Sequence, residues 1–446
     1  SKLTFEYHHM EEFRRGGDLL NRPPHEANVA EQTEHSINGG GLKFDYFSPN
    51  ENHRFNVFAS AQHINRDSYY GPGDRDPLDA YGNTTDLNWM AGSQYVYSFG
   101  KCIFMPSDLT AGIEFNQDKL EDNMWGYNRT VDQKVNIGSA FLQNEWKNDH
   151  WGFLIGGRLD KHNLIDHVIF SPRANLRYNP TENINLRFSY SSGFRAPQAF
   201  DEDLHVENVG GNVAMVELAD NLKEERSQSL SASADIYHRF GAFQVNFLVE
   251  GFYTKLSDVF ALTDGEVVDG ILTRTRHNAS GAQVLGLTLE GKMAYLNKIQ
   301  VQAGVTLQQS HYSKPHIWNK EAPAVKKMMR TPNTYGYFTA TYTPIKPLSI
   351  ALSGTYTGSM LVPHEPVPGF LENPITVNTK DFFDIGLKAA YDFKLYKSMN
   401  LQLNAGIQNI FNAYQDDFDK GADRDSGYIY GPSLPRSFFA GVKISY

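Results

Sequence analysis

Apolar and polar residues alternate with a period of two along much of this 446-residue chain. Ile184, Leu186, Phe188 and Tyr190 interleave with Asn185, Arg187, Ser189 and Ser191, and Leu230, Ala232, Ala234 and Ile236 interleave with Ser229, Ser231, Ser233 and Asp235. The pattern is cleanest at Leu285, Leu287 and Leu289, at Ile299, Val301, Ala303, Val305 and Leu307, and at Leu401, Leu403, Ala405 and Ile407. Alternation of this kind gives a β-strand one apolar and one polar face. Gln300, Gln302, Gln402 and Asn404 fall on the polar face of their strands.

The connections carry the next level of information. Short turns are expected at Asn50-Glu51-Asn52, near 100–107, at Lys147-Asn148-Asp149-His150, at Pro180-Thr181-Glu182, at Phe240-Gly241 and at Asn297-Lys298. Between them fall long connections near 11–30, 65–85, 119–130, 194–223, 313–332, 361–379 and 414–432, with two shorter ones near 163 and 266. Strict alternation of short and long collects every long connection at one end of an up-and-down meander of about 18 strands. The expected fold is therefore all-β, a transmembrane antiparallel up-and-down barrel with the long connections outside the cell. A soluble sandwich with Greek-key connections, the other all-β solution, scatters its long loops.

Composition fits this reading. The mean hydropathy of −0.47 is too polar for a helical membrane protein, and no apolar run reaches the length of about 18 residues that a spanning helix needs. A barrel hides its apolar surface by alternation, and 24 Tyr with 29 Phe supply rings for two interfacial belts. A net charge of −10 argues against nucleic-acid binding, and the single cysteine, Cys102, cannot close an intrachain disulfide. No Ser-His-Asp spacing, nucleophile elbow, phosphate loop, paired-cysteine motif or zinc-protease motif is present, so no enzymatic activity is expected.

The longest connection, Gly193 to Ser227, carries a resemblance. Phe194-Arg195-Ala196-Pro197 resembles the FRAP box of TonB-dependent outer-membrane receptors, and Asn221-Leu222 with the following Lys223-Glu224-Glu225-Arg226-Ser227 is similar to their NPxLKPExS segment without its prolines. Asn409-Ile410-Phe411-Asn412 resembles a further box of that family, and Gly431-Pro432-Ser433-Leu434-Pro435-Arg436 is similar to the segment that leads into its last strand. Phe438, Ala440, Val442, Ile444 and Tyr446 form an apolar face with a terminal aromatic, resembling the signal read by the outer-membrane assembly machinery.

The resemblance implies a bacterial outer-membrane importer of a scarce metal chelate, a ferric siderophore or haem, or alternatively cobalamin, energised by the TonB-ExbB-ExbD complex. The chelate would be cargo, and no permanently bound cofactor is implied. It also implies a barrel of about 22 strands around an N-terminal plug. Residues 1–446 would then be the barrel domain, lacking the plug, the TonB box and about the first four strands, with an unpaired edge at the first strand. A passive porin, and the membrane half of a complex with a surface lipoprotein, are the alternatives from other classes.

Candidate ligand contacts lie in the long connections: Asp201, Glu202, Asp203 and His205 in the central one, Trp125, Tyr127 and Arg129 in the third, and His311, Tyr312, His316 and Trp318 in a later one. Histidine can ligate iron, arginine can pair with an anionic chelate, and aromatic rings can stack on a planar one. His205, just before the flexible Gly210-Gly211 pair, is the candidate metal ligand. The acidic run Asp416, Asp417, Asp419, Asp423 and Asp425 does not have the spacing of an EF-hand loop and is expected to be a solvated surface.

Overall fold

The computed structural model describes residues 1–71, 76–209, 212–396, 398–432 and 434–446. Positions 72–75, Gly210-Gly211 and Ser433, which figure in the expectations above, lie outside the described residues.

Period-two segments become long antiparallel strands: β1 (Lys2–Gly17), β2 (Ala30–Phe47), β3 (His53–Gly71), β4 (Tyr81–Cys102), β5 (Met105–Met124) and β6 (Arg129–Lys147). β7 (Trp151–His162), β8 (Ile169–Thr181), β9 (Ile184–Arg195), β10 (Glu225–Phe240), β11 (Phe243–Ser257) and β12 (Ala282–Tyr295) follow. β13 (Ile299–His316), β14 (Thr334–Ile345), β15 (Leu348–Thr357), β16 (Phe382–Tyr396), β17 (Met399–Gln408) and β18 (Ser437–Ser445) complete the meander. Each pairs with its sequence neighbours, and the nineteenth strand of the sheet, Val325–Lys327, pairs only with β13 among the described residues. At the two ends of the sheet β1 pairs with β2 and β18 with β17; no described ladder joins these edges. Outward residues are open on the edge strands and inside the sheet alike, Ile444 at 66% and Ile155 at 63%.

The two faces differ as the alternation demands. Leu285, Leu287 and Leu403 point outward with Tyr391, Phe393 and Val442. Inward, Thr288 and Thr306 share a hydrogen bond of 3.0 Å, Gln302 donates to the Tyr337 hydroxyl at 2.7 Å, and Lys292 pairs with Glu290 at 2.7 Å. Inward Gly286 has no side chain because Phe252 on the next strand lies across it, 2.3 Å from where a Cβ would stand. At the short-turn end, Asn148 accepts from the amides of His150 and Trp151 at 2.9 and 2.7 Å, so the side chain itself closes the turn. Rings gather at the same end, with Trp151 stacked on Tyr178 at 4.2 Å and Phe104 on Trp146 at 5.6 Å. Such a girdle suits a membrane interface.

Three connections are shorter than the alternation suggested. β1 and β2 pair up to Gly17 and Ala30, β3 and β4 up to Tyr69 and Tyr81, and β5 and β6 meet at the one-turn Trp125–Tyr127 segment, closed by Asn128 in a left-handed conformation (φ 48°). These upper extensions carry residues such as Asp118, Lys119, Glu121 and Asp122, so the apolar half of the signal is missing although the pairing continues. The connection near 266 is longer than expected: Phe260–Val268 and Ile271–Asn278 form their own hairpin between β11 and β12.

Leu287→Arg places a charge on the outward face at mid-strand and should cost about 2 to 4 kcal/mol of barrel stability. Gln302→Arg, inward and near the Glu290 carboxylate, should change it little. Urea unfolding of the refolded barrel in lipid vesicles checks the pair; equal losses would contradict the facing.

Candidate functional site

Near the loop end the inward positions of β3 to β6 turn ionic. Arg66, Thr84, Asp122 and Arg129 stand on neighbouring strands and are all buried or nearly so. Thr84 Oγ1 donates to Asp122 Oδ1 at 2.6 Å and receives Arg66 Nε at 3.1 Å, while Arg129 Nη2 reaches Asp122 Oδ2 at 2.8 Å. Arg66 lies 3.8 Å from the same carboxylate. One carboxylate therefore serves two guanidiniums.

The remaining negative charge comes from the central connection. Gln133 clamps Ala199 through both backbone groups, at 2.8 and 3.2 Å, and the Asp203 carboxylate accepts the Phe200 amide at 2.8 Å, starting the one-turn helix Asp201–Leu204. That turn aims three acids at three arginines. Asp201 meets Arg66 at 2.6 Å; Glu202 meets Arg195 at 2.6 Å and Arg276 at 3.2 Å; Asp203 is buried against Arg276. Arg129 holds the end of the turn by donating to the Leu204 carbonyl at 2.8 Å. Burial pushes Glu202 up, but Arg195 and then Arg276 outweigh it and hold it below the usual carboxylate range.

Beyond the helix the connection joins a four-stranded sheet, Glu207–Val209, Asn212–Leu218, Ile271–Asn278 and Phe260–Val268, in which the second and third strands run parallel. Val206, Val213 and Met215 pack with Tyr69, Tyr70, Met124 and Tyr127 from the barrel rim in one apolar cluster. A second ionic node ties further connections to this roof: Arg274 contacts Glu207 at 2.5 Å, Asp264 at 3.0 Å and Glu365 at 3.4 Å, and Asn319 bridges Asp264 and Glu365.

The expected contact residues take different places. His205 sits against Tyr70, with its Nε2 3.5 Å from Glu31; that contact raises its imidazole above the ordinary value against the opposing effect of burial. Tyr127 is buried with its hydroxyl on the Tyr70 carbonyl, Arg129 is in the ion network, and Trp125 is exposed at its hairpin tip. His311 lies opposite Lys327, His316 packs against Tyr312 with the rings tilted and 5.0 Å apart and is held low by burial and His277, and Trp318 is buried. Phe194 and Ala196 pack on Ile165 and Ile169, Arg195 spans Glu202 and the Phe200 ring, and Leu222 closes a turn on Ala219 before β10. Phe438 and Tyr446 are exposed on the last strand and at its end.

The acidic run is only partly a solvated surface. Asp416 pairs with Lys380, Asp417 accepts from Tyr430, Asp419 pairs with His364 at 2.8 Å, and Asp425 is buried, accepting the Glu365 and Gly427 amides. Among the described residues no group of three or more His, Cys, Asp or Glu side chains is placed to hold a metal. Arg66, Asp122, Arg274, Arg276 and Glu365 were not expected from the sequence. The signal that could have marked Arg66 and Asp122 is their shared inward parity, which shows only once the strands are extended upward.

The TonB dependent receptor-like β-barrel family model matches residues 7–410. No curated protein matches the chain. Among solved structures, the chain is similar to the siderophore receptor PirA from Acinetobacter baumannii, at 15% identity and TM-score 0.66, covering 92% of this chain and 62% of that one. It is also similar to the FrpB iron transporter from Neisseria meningitidis, at 15% identity and TM-score 0.67, covering 99% and 69%. The ferric-catecholate import receptor Fiu from Escherichia coli K12 matches at 13% identity and TM-score 0.64, covering 93% and 64%. The chain thus spans about 62% of the length of the PirA structure.

Burial, and then the Asp264 carboxylate, lift Glu365 from the ordinary 4.5 to about 7. Its contribution to the roof is therefore fully present below pH 4.5 and is lost as pH rises through about 7, by up to about 3 kcal/mol. The raised His205 acts in the same direction, its contribution being present below the ordinary 6.5 and lost as pH rises through its folded value. Proteolysis of the 358–381 connection should be faster at about pH 8 than at about pH 5, and Glu365→Gln should remove most of the difference. Unchanged pH dependence in that variant would contradict the assignment.

Proposed function

The chain belongs to the TonB dependent receptor-like β-barrel family, and from that premise we propose that it imports a ferric chelate of the siderophore class across the bacterial outer membrane, driven by the TonB-ExbB-ExbD complex. The family match over residues 7–410 carries the reading. It is supported by the similarity to a siderophore receptor, a ferric-catecholate import receptor and an iron transporter. It is supported also by the mouth itself, where buried guanidiniums gather under a loop roof, a setting suited to an anionic chelate. His205 engages Glu31, which favours a siderophore over haem ligated by that imidazole.

The edges of β1 and β18, which no ladder joins among the described residues, and the share of the PirA structure that is spanned support a further part of the proposal. Additional strands and a lumen-filling plug carrying the TonB box complete the receptor, since open edges within hydrocarbon leave backbone groups unsatisfied at several kcal/mol each. The deciding experiment uses a strain in which the full-length gene supplies the sole receptor, offered a panel of labelled ferric siderophores, haem and cobalamin in iron-poor medium. Uptake of at least one siderophore, abolished when the proton-motive force is collapsed, is expected. Uptake that survives de-energising would instead fit a passive pore, and haem-dependent growth lost on His205→Ala would move the cargo to haem.

A further inference from the structure

The acidic turn Asp201-Glu202-Asp203 lies against more arginine than any other part of the roof described above. Arg66 comes from β3, Arg129 from β6, Arg195 from β9 and Arg276 from the hairpin of the 258–281 connection, so four separate parts of the chain deliver guanidiniums to one recess. The side chains of Arg66, Arg129 and Arg276 are only 7 to 8% exposed. Asp122 is the one carboxylate of this set that the barrel wall itself contributes. With the three acids of the central connection in place, four positive charges meet four negative ones. Without them, Arg66 and Arg129 share Asp122 and Arg195 and Arg276 keep no carboxylate of this set, and buried charge left unpaired, as at Arg276, is costly. The recess needs anionic oxygen atoms at all times, from one source or another.

The acids that supply it are unevenly placed. Asp203 is buried, but the side chains of Asp201 and Glu202 are 87% and 58% exposed, so they cover buried guanidiniums from the solvent side. Arg129 Nε and Arg276 Nε also have no hydrogen-bond partner among the described residues, leaving donor capacity unused in the recess. The Phe260 ring lies beneath both Arg195 and Arg276, at 5.5 and 5.8 Å, and holds those two guanidiniums near one another independently of the acids.

We propose that this recess is an anion-binding site for the incoming chelate, and that the Asp201-Glu202-Asp203 turn is a built-in competitor that occupies it until the chelate displaces it. The ligand class is a chelate presenting several carboxylate or phenolate oxygens, since these reproduce the bonds that Asp201 and Glu202 make. The inference rests on the import reading above and specifies which site the anion reaches. It assigns the central connection the role of an autoinhibitory cover, released by exchange of one set of anionic oxygens for another.

The test measures binding of a trianionic ferric tris-catecholate and of a neutral ferric tris-hydroxamate to the full-length receptor and to an Asp201→Asn, Glu202→Gln double variant, with heat-modifiable gel mobility confirming a folded barrel. Removing the competitor should tighten the tris-catecholate by about tenfold and leave the tris-hydroxamate unchanged. In the unsubstituted receptor, the tris-catecholate should also speed hydrogen exchange at Asp201 to Leu204. Unchanged or weakened tris-catecholate binding, an equal gain for both chelates, or slower exchange at that turn on binding would overturn the competitor. A receptor that binds neither chelate, in either form, removes the import reading and this inference with it.

Discussion

Within hydrocarbon there is no water to satisfy a backbone amide or carbonyl, and the rest of this structure follows from that constraint. Every residue of a spanning strand must pair laterally, which forces long antiparallel neighbours in sequence order from β1 to β18. Lateral pairing leaves side chains to alternate between lipid and lumen, so Leu285 and Leu287 face outward while Thr288 and Glu290 face in. At the edges of β1 and β18 no described ladder meets that demand.

Above the membrane the constraint relaxes and a different one takes over. Strand pairing continues through polar sequence, and the connections, free of lipid, must cohere by their own contacts. They do so through the Tyr69, Tyr70, Met124 and Tyr127 cluster and through two ionic nodes centred on Asp122 and Arg274. At the first node the wall's two arginines outnumber Asp122 and the central connection supplies the balance, whereas at the second Arg274 gathers Asp264 of its own hairpin with Glu207 and Glu365 of distant connections. A roof held this way is cohesive yet exchangeable, because a soluble anion can replace a carboxylate where it cannot replace a packed side chain. That property links the packing of the mouth to the import reading.

The barrel was legible in the sequence because lipid imposes period two and because short and long connections alternate. Even the count of about 18 strands follows from those two signals. The upper strand extensions were not legible, since Asp118 to Asp122 carry no apolar face to read. The ionic mouth was legible by half. Asp201, Glu202, Arg129 and Arg195 stood out within or beside long connections, whereas Arg66 and Arg276 sit 135 and 74 residues from their partners in the central turn. No local pattern encodes such a pairing. His205 was expected as a metal donor from its residue type and its place in the central connection just before Gly210-Gly211, and its neighbour Glu31 comes from β2, far off in the sequence.

The central claim is that all chemistry-bearing connections lie at the end of the barrel that faces the medium. Cysteine labelling in intact cells tests it most directly, using a membrane-impermeant maleimide on the full-length protein with Cys102 replaced by serine. Phe370→Cys, exposed in the 358–381 connection, should label fully, and His150→Cys, in the short turn before β7, should label only after the outer membrane is opened. Labelling of His150→Cys in intact cells, with Phe370→Cys protected, would contradict the orientation and the import reading built on it.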